Sequence, residues 1–177
     1  MKTNFEVFEY AVQKALASDT EILIPNFIKS LKELICDEVV SLDINKIFNE
    51  LFYLNIFVYY VTINKRFKEQ APNFTDKINE IAENFLRNRL SDESIIIDIM
   101  IELNIRLLEI SEKHREFINK EGKPEAVSEL SQFFIEKILG NKFKKNICLE
   151  ILLFNYFGVS IENDGKYFGD IFHQCTS

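Results

Sequence analysis

The chain has 177 residues, 47% of them hydrophobic and 28% charged, with only 5 glycines and 3 prolines. This composition excludes most disordered, collagen-like and strand-rich chains, because it supplies a large core and few turns. The formal net charge of −7 argues against direct binding of nucleic acid, which needs a basic surface, and favours a basic partner. A single domain over residues 1–177 is expected at this length.

Apolar residues recur at helical spacing along the chain, and no long segment alternates with a period of two. This pattern predicts an all-α fold, a compact bundle of about seven to eight helices. The predicted helices are Phe5–Leu16, Pro25–Val40, Asp43–Lys68, Thr75–Leu90, Ser94–Lys120, Pro124–Leu139, Phe143–Phe157 and a short last one over Tyr167–His173.

Capping residues and helix breakers set these boundaries. Asp43 is the expected N-cap of the third helix, because its carboxylate can accept from free amides of the first turn. Ser91, Asp92 and Glu93 separate the fourth helix from the fifth. The remaining breaks are expected at Ser18-Asp19, Pro72, Gly122-Pro124, Gly140, Gly158 and a turn over Asn163-Asp164-Gly165.

Two long helices, Asp43–Lys68 and Ser94–Lys120, are expected at the centre, since both have wide apolar surfaces. The first includes an aromatic run over Phe48–Phe67, which predicts a core helix and leaves open a cavity for an apolar ligand. Within this run, Tyr59 and Tyr60 are candidate anchors for a protein partner, because exposed tyrosines are enriched at interfaces.

The helix from Ser94 has a series of acidic residues near one face. Its candidate contacts for a partner are Asp98, Glu102, Glu109 and Glu112. Glu102 is four residues before Arg106, a spacing that predicts an ion pair on a helix. Two interpretations stay open, a solvated helix face and an acidic surface that docks a cationic protein.

Motifs for catalysis and metal binding are absent from the sequence. It contains no Gly-rich phosphate loop, no G-x-S-x-G elbow and no HExxH motif. The spacing of Asp170 and His173 suits a metal, but the pair stands alone near the end of the chain. The prediction is a protein that is not an enzyme and has no metal or cofactor.

The expected location is the cytoplasm, without a membrane span. The first residues lack the apolar stretch of a signal peptide, and the three cysteines are widely spaced. The most apolar stretch, Ile47–Ile63, contains Asn49, Glu50 and Asn55 and is shorter than the roughly 20 apolar residues of a spanning helix.

These observations predict a non-enzymatic protein that binds a basic protein. Its expected form is an immunity protein or antitoxin that blocks the active site of a basic toxin such as a nuclease, with carboxylates in place of phosphates. The alternative is a helical sensor or receptor domain whose aromatic helix lines an apolar pocket for a small molecule. The oligomeric state and the identity of the partner stay open.

Overall fold

The computed structural model describes residues 4–35, 42–67, 71–120, 124–140, 143 and 146–176. These residues form an all-α fold and include no strand. The helices are α1 (Asn4–Ser18), α2 (Ile24–Leu34), α3 (Ile44–Phe67), α4 (Ala71–Arg87), α5 (Glu93–Asn119), α6 (Pro124–Leu139) and α7 (Ile147–Thr176).

Helices α1 and α2 are two parts of one continuous helix, joined by a π-helical turn over Asp19–Leu23. The backbone N–H of Ile24 reaches back to the carbonyl of Asp19, and Ser18 keeps helical dihedral angles. Pro25 lacks an N–H, and it is the second residue after this widened turn, in the first turn of α2, where the chain keeps its helical path. The predicted break at Ser18-Asp19 is therefore wrong, and the described residues form six continuous helices, fewer than predicted.

Helix α7 continues through both of its predicted breaks. Gly158 and the segment 163–165 are helical, where an end and a turn were expected. A glycine costs a helix interior only about 1 kcal/mol relative to alanine, and packing on both sides of Gly158 outweighs this cost. Leu153 precedes it and Phe168 follows it, and both side chains are buried.

Other predicted boundaries are confirmed. The Asp43 carboxylate accepts from the backbone N–H of Lys46 at 3.0 Å, as an N-cap residue should. The Asp92 carboxylate accepts from the backbone N–H of Ser94 at 2.9 Å and caps α5. Gly140 ends α6 with a φ of 91°, a left-handed conformation that favours glycine.

Only one of the two helices expected at the centre is enclosed. Helix α3 packs against α2, α4, α5, α6 and α7, which confirms its predicted core position. The buried residues of α5 are Ile96, Leu103 and Ile110, one row at intervals of seven residues, so α5 lies at the edge of the bundle. Helix α7 takes the second central place, in contact with α1, α2, α3 and α6.

Candidate functional site

The outward face of α5 has a row of large apolar side chains. This aliphatic stripe consists of Ile97, Ile101, Ile105 and Leu108, whose exposed fractions run from 48% to 70%. At 3.6 residues per turn, their spacing places the four within about 80° of one another around the helix axis. A contiguous exposed apolar row is uncommon on a soluble monomer and is typical of an interaction site.

The four predicted acidic contacts lie beside this stripe. Asp98, Glu102 and Glu109 follow one edge of it, and Glu112 lies near its C-terminal end, as the helical repeat requires. Asp98, Glu102 and Glu112 are exposed, and Glu109 is partly exposed. Helix α5 therefore presents apolar and acidic surface together, whereas the sequence pattern drew attention to the acids alone.

Two of these acids are already paired inside the molecule. The guanidinium of Arg106 contacts Glu102 at 3.3 Å, the pair predicted from its spacing, and Glu109 at 2.5 Å. Lys137 of α6 contacts Glu109 at 2.8 Å. These hydrogen bonds outweigh the effect of partial burial and lower the pKa of Glu109. Glu109 is therefore firmly ionised, but its charge is compensated locally.

The same guanidinium holds a buried carboxylate of α3. Arg106 contacts Glu50 at 2.6 Å, and these side chains are 12% and 6% exposed. Burial raises the pKa of Glu50, and the bond and charge of Arg106 oppose that rise. The Glu50 partner comes from another helix, so no spacing rule within α5 could have indicated it.

The predicted anchor at Tyr59 is wrong, because its side chain is fully buried. Its hydroxyl donates a hydrogen bond to Asp19 in the π-helical turn. Tyr60 is half-buried, and its hydroxyl donates to the side-chain oxygen of Asn79 at 3.0 Å. Burial, with the nearby charge of Asp76, raises the pKa of Tyr60 to about 12. A partner role for Tyr60 stays a prediction.

Asp19 is a carboxyl group almost without contact with solvent, at 1% exposure. Burial raises its pKa to about 7, although the hydrogen bond from Tyr59 opposes the rise. Its second oxygen, Oδ1, is buried and has no hydrogen-bond partner among the described residues. The π-helical turn thus encloses a group that titrates near neutral pH.

A second feature is a pocket of about 570 Å³ between α3, α5, α6 and α7. This volume lies in the usual range of about 300–1,000 Å³ for ligand sites. Its aromatic lining consists of Phe57, Phe117, Phe134, Phe154 and Phe157, and most of the other lining residues are aliphatic. The aromatic run Phe48–Phe67 was expected to line a cavity. Of its described aromatic side chains, only Phe57 lines this pocket.

The pocket has few polar groups, and none of the described residues that line it is acidic. His114 lies inside it, with its ring 5.4 Å from that of Phe57 and 6.4 Å from that of Phe117. Burial lowers the pKa of His114, so the imidazole is neutral at neutral pH. Lys65 is the last lining residue of α3, and its side chain is exposed.

Neither a metal cluster nor a membrane-spanning helix occurs within the described residues. No cluster of three or more His, Cys, Asp or Glu there is arranged to hold a metal ion. The side chains of Asp170 and His173 lie outside the described part of the chain. None of the described helices combines the length and apolar character needed to cross a membrane.

Comparisons with known proteins add no assignment to these two sites. No family model, no curated protein and no solved structure matches the chain.

Proposed function

We propose that the chain is a non-enzymatic protein that binds a cationic protein through α5. The observation that carries the proposal is the aliphatic stripe with carboxylates at its edge. The partner that fits it has an apolar ridge or helix face flanked by lysines or arginines. A second copy of this chain fits less well, because it would bring the same carboxylates to the contact.

The stripe and the acids have different tasks in this proposal. Burial of apolar surface contributes roughly 25 cal/mol per Å², so the four aliphatic side chains supply the binding free energy. Asp98 and Glu112 are exposed and attract a basic partner over a distance. Glu102 and Glu109 contribute less to this attraction, because Arg106 compensates them.

The partner class that we propose is a basic toxin, for example a nuclease, with this chain as its immunity protein or antitoxin. The net charge of −7 and the acidic border of the stripe support it. A nuclease cleft is basic because it binds phosphates, so carboxylates at the edge of a docked helix fit that cleft. Inhibition follows from occlusion of the active site.

The test compares two variants that carry the same change on different helices. Ile101→Asp lies in the stripe, and Ile22→Asp lies in the π-helical turn at nearly the same exposure, 59% against 55%. A basic protein captured from the native host is purified and titrated against each form. We expect the stripe variant to lose at least tenfold in affinity and in inhibition of the partner's activity, and the Ile22→Asp variant to match the wild type.

Two results would overturn this proposal. Equal affinity of the two variants for the purified partner would place the contact elsewhere. A wild-type dimer that Ile101→Asp converts to a monomer, measured by light scattering, would assign the stripe to self-association instead.

The second candidate function that we propose is binding of an apolar small molecule in the pocket of α3, α5, α6 and α7. The pocket's volume and its aromatic lining support it. Native mass spectrometry of the purified protein should then find bound apolar material, and adding it back should raise the melting temperature. Val61→Trp, which adds bulk within the lining, should abolish both effects.

A further inference from the structure

The ionisable residues described in the pocket lining are basic, whereas the net charge of the chain is negative. The whole protein has a net charge of −7, yet no described residue of the pocket lining has a carboxylate. The ionisable residues of the described lining are Lys65 and His114. The side chain of Lys65 is exposed, and no ion pair joins it to another described residue.

The lining residues of α3 extend along the helix from a buried end to an exposed end. It begins at Leu54, continues through Phe57, Val58, Val61 and Thr62, and ends at Lys65. At 1.5 Å per residue this path is about 16 Å long. It therefore passes from a buried apolar end to an exposed cation, the arrangement that suits an extended molecule with one charged end.

We infer that the ligand of this pocket is an amphiphile with a single carboxylate, such as a fatty acid. Its tail lies among Phe57, Phe134 and Phe157, and its carboxylate pairs with the ammonium of Lys65. This inference rests on the second proposed function, because it names the ligand class of that pocket. A purely apolar ligand would not need a lysine in the lining. The position of Lys65 therefore favours a ligand with a negative charge.

The position of His114 is compatible with the same amphiphilic ligand. Its imidazole has ring contacts with Phe57 and Phe117, and no described residue forms a hydrogen bond with its ring nitrogens. A neutral imidazole beside the tail adds no charge that would need a counterion. Within the described lining, the charge of the ligand therefore falls to Lys65, and a single substitution tests this assignment.

The experiment compares two probes of equal chain length, dodecanoate and dodecan-1-ol, by calorimetric titration below their aggregation limits. The wild type should bind the acid more tightly than the alcohol. Lys65→Gln should weaken binding of the acid by about three- to fivefold, the size of an exposed ion pair, and leave the alcohol unchanged. Lys46→Gln is the matched control, since Lys46 is an exposed lysine of α3 outside the pocket.

The possible outcomes separate the ligand class from the pocket's function. If both probes bind equally and Lys65→Gln has no effect, the carboxylate assignment is wrong while binding of an apolar molecule stands. If neither probe binds the wild type, both proposals for the pocket fail. Equal weakening of the acid by Lys65→Gln and Lys46→Gln would indicate a general charge effect and would also contradict the assignment.

Discussion

Helices α3 and α5 have similar apolar sequence patterns but different environments. Both are long, and both were expected at the centre of the bundle. Helix α3 is enclosed by five neighbouring helices, and half of its described side chains are buried. Helix α5 contacts α3, α4 and α6 through one row of buried residues and exposes the aliphatic stripe on its other side.

The contrast between α3 and α5 separates apolar surface that the fold buries from apolar surface that it leaves exposed. A helix at the edge of a bundle needs one apolar row to pack, and α5 has that row in Ile96, Leu103 and Ile110. The stripe is additional, so its apolar character is not explained by the core. Surface that the fold does not use is the better candidate for a contact with another molecule.

The largest expected effect is at the ion pair that joins these two helices. Arg106→Met should lower the free energy of unfolding by about 3–5 kcal/mol, because it leaves the buried carboxylate of Glu50 without a counterion. Denaturant titration at pH 7 measures this loss. Arg87→Met is the control, since Arg87 pairs only with exposed carboxylates, and it should leave the stability nearly unchanged.

A second variant tests the cause of that loss. Glu50→Gln combined with Arg106→Met should recover most of the stability, because the unpaired buried charge is then absent. A double variant as unstable as Arg106→Met alone would mean that lost packing of the arginine stem, and not charge, explains the effect.

The next prediction compares the same substitution, isoleucine to alanine, in α3 and in α5. Ile56 of α3 is fully buried, and Ile101 of α5 is 55% exposed. Ile56→Ala should cost about 2–5 kcal/mol of unfolding free energy, because it leaves a cavity. Ile101→Ala should change it by about 0.5 kcal/mol or less. Similar losses at both positions would mean that the stripe is part of the core and would end the comparison.

The buried carboxyl next to α3 gives a smaller effect that depends on pH. The pKa of Asp19 is about 7 in the folded protein, above its ordinary value of 3.8. The folded state therefore binds more protons between these values, and stability falls as pH rises from about 4 to about 7. Asp19→Asn should remove this fall, which the rise of the pKa from 3.8 to about 7 makes about 3 kcal/mol between pH 4.5 and pH 8. Unfolding curves at pH 4.5, 6 and 8 measure it, and equal slopes in both proteins would contradict the assignment.

Sequence patterns were sufficient for those parts of the fold that depend on neighbouring residues. The cap at Asp43, the end of α6 at Gly140 and the pair of Glu102 with Arg106 all involve residues within four positions of each other. Gly158 was misjudged because tertiary packing on both sides of it overrides its low helix propensity.

The parts that could not be predicted depend on which helices meet. The hydroxyl of Tyr59 bonds Asp19, which is 40 positions away, so burial of this tyrosine has no local signal. The pocket takes its lining from four helices. The stripe did have a signal, the spacing of Ile97, Ile101, Ile105 and Leu108, but a sequence cannot say which of two apolar faces is the buried one.

The smallest expected effect on the fold is at the exposed acids of α5, where only association with a partner should change. Asp98→Lys with Glu112→Lys should lower the association rate with the basic partner by about tenfold at low salt, because long-range attraction is lost. The difference should shrink as salt shortens the Debye length to about 8 Å at 0.15 M. Stopped-flow mixing at several salt concentrations measures both.

A matched control separates local attraction from net charge. Glu33→Lys with Glu162→Lys makes the same change in total charge on exposed positions of α2 and α7. If both double variants slow association equally, the overall charge of −7 explains the rate and α5 has no special place in it. If only the α5 variant slows it, the acids act where the stripe binds, and the two parts of that face belong to one site.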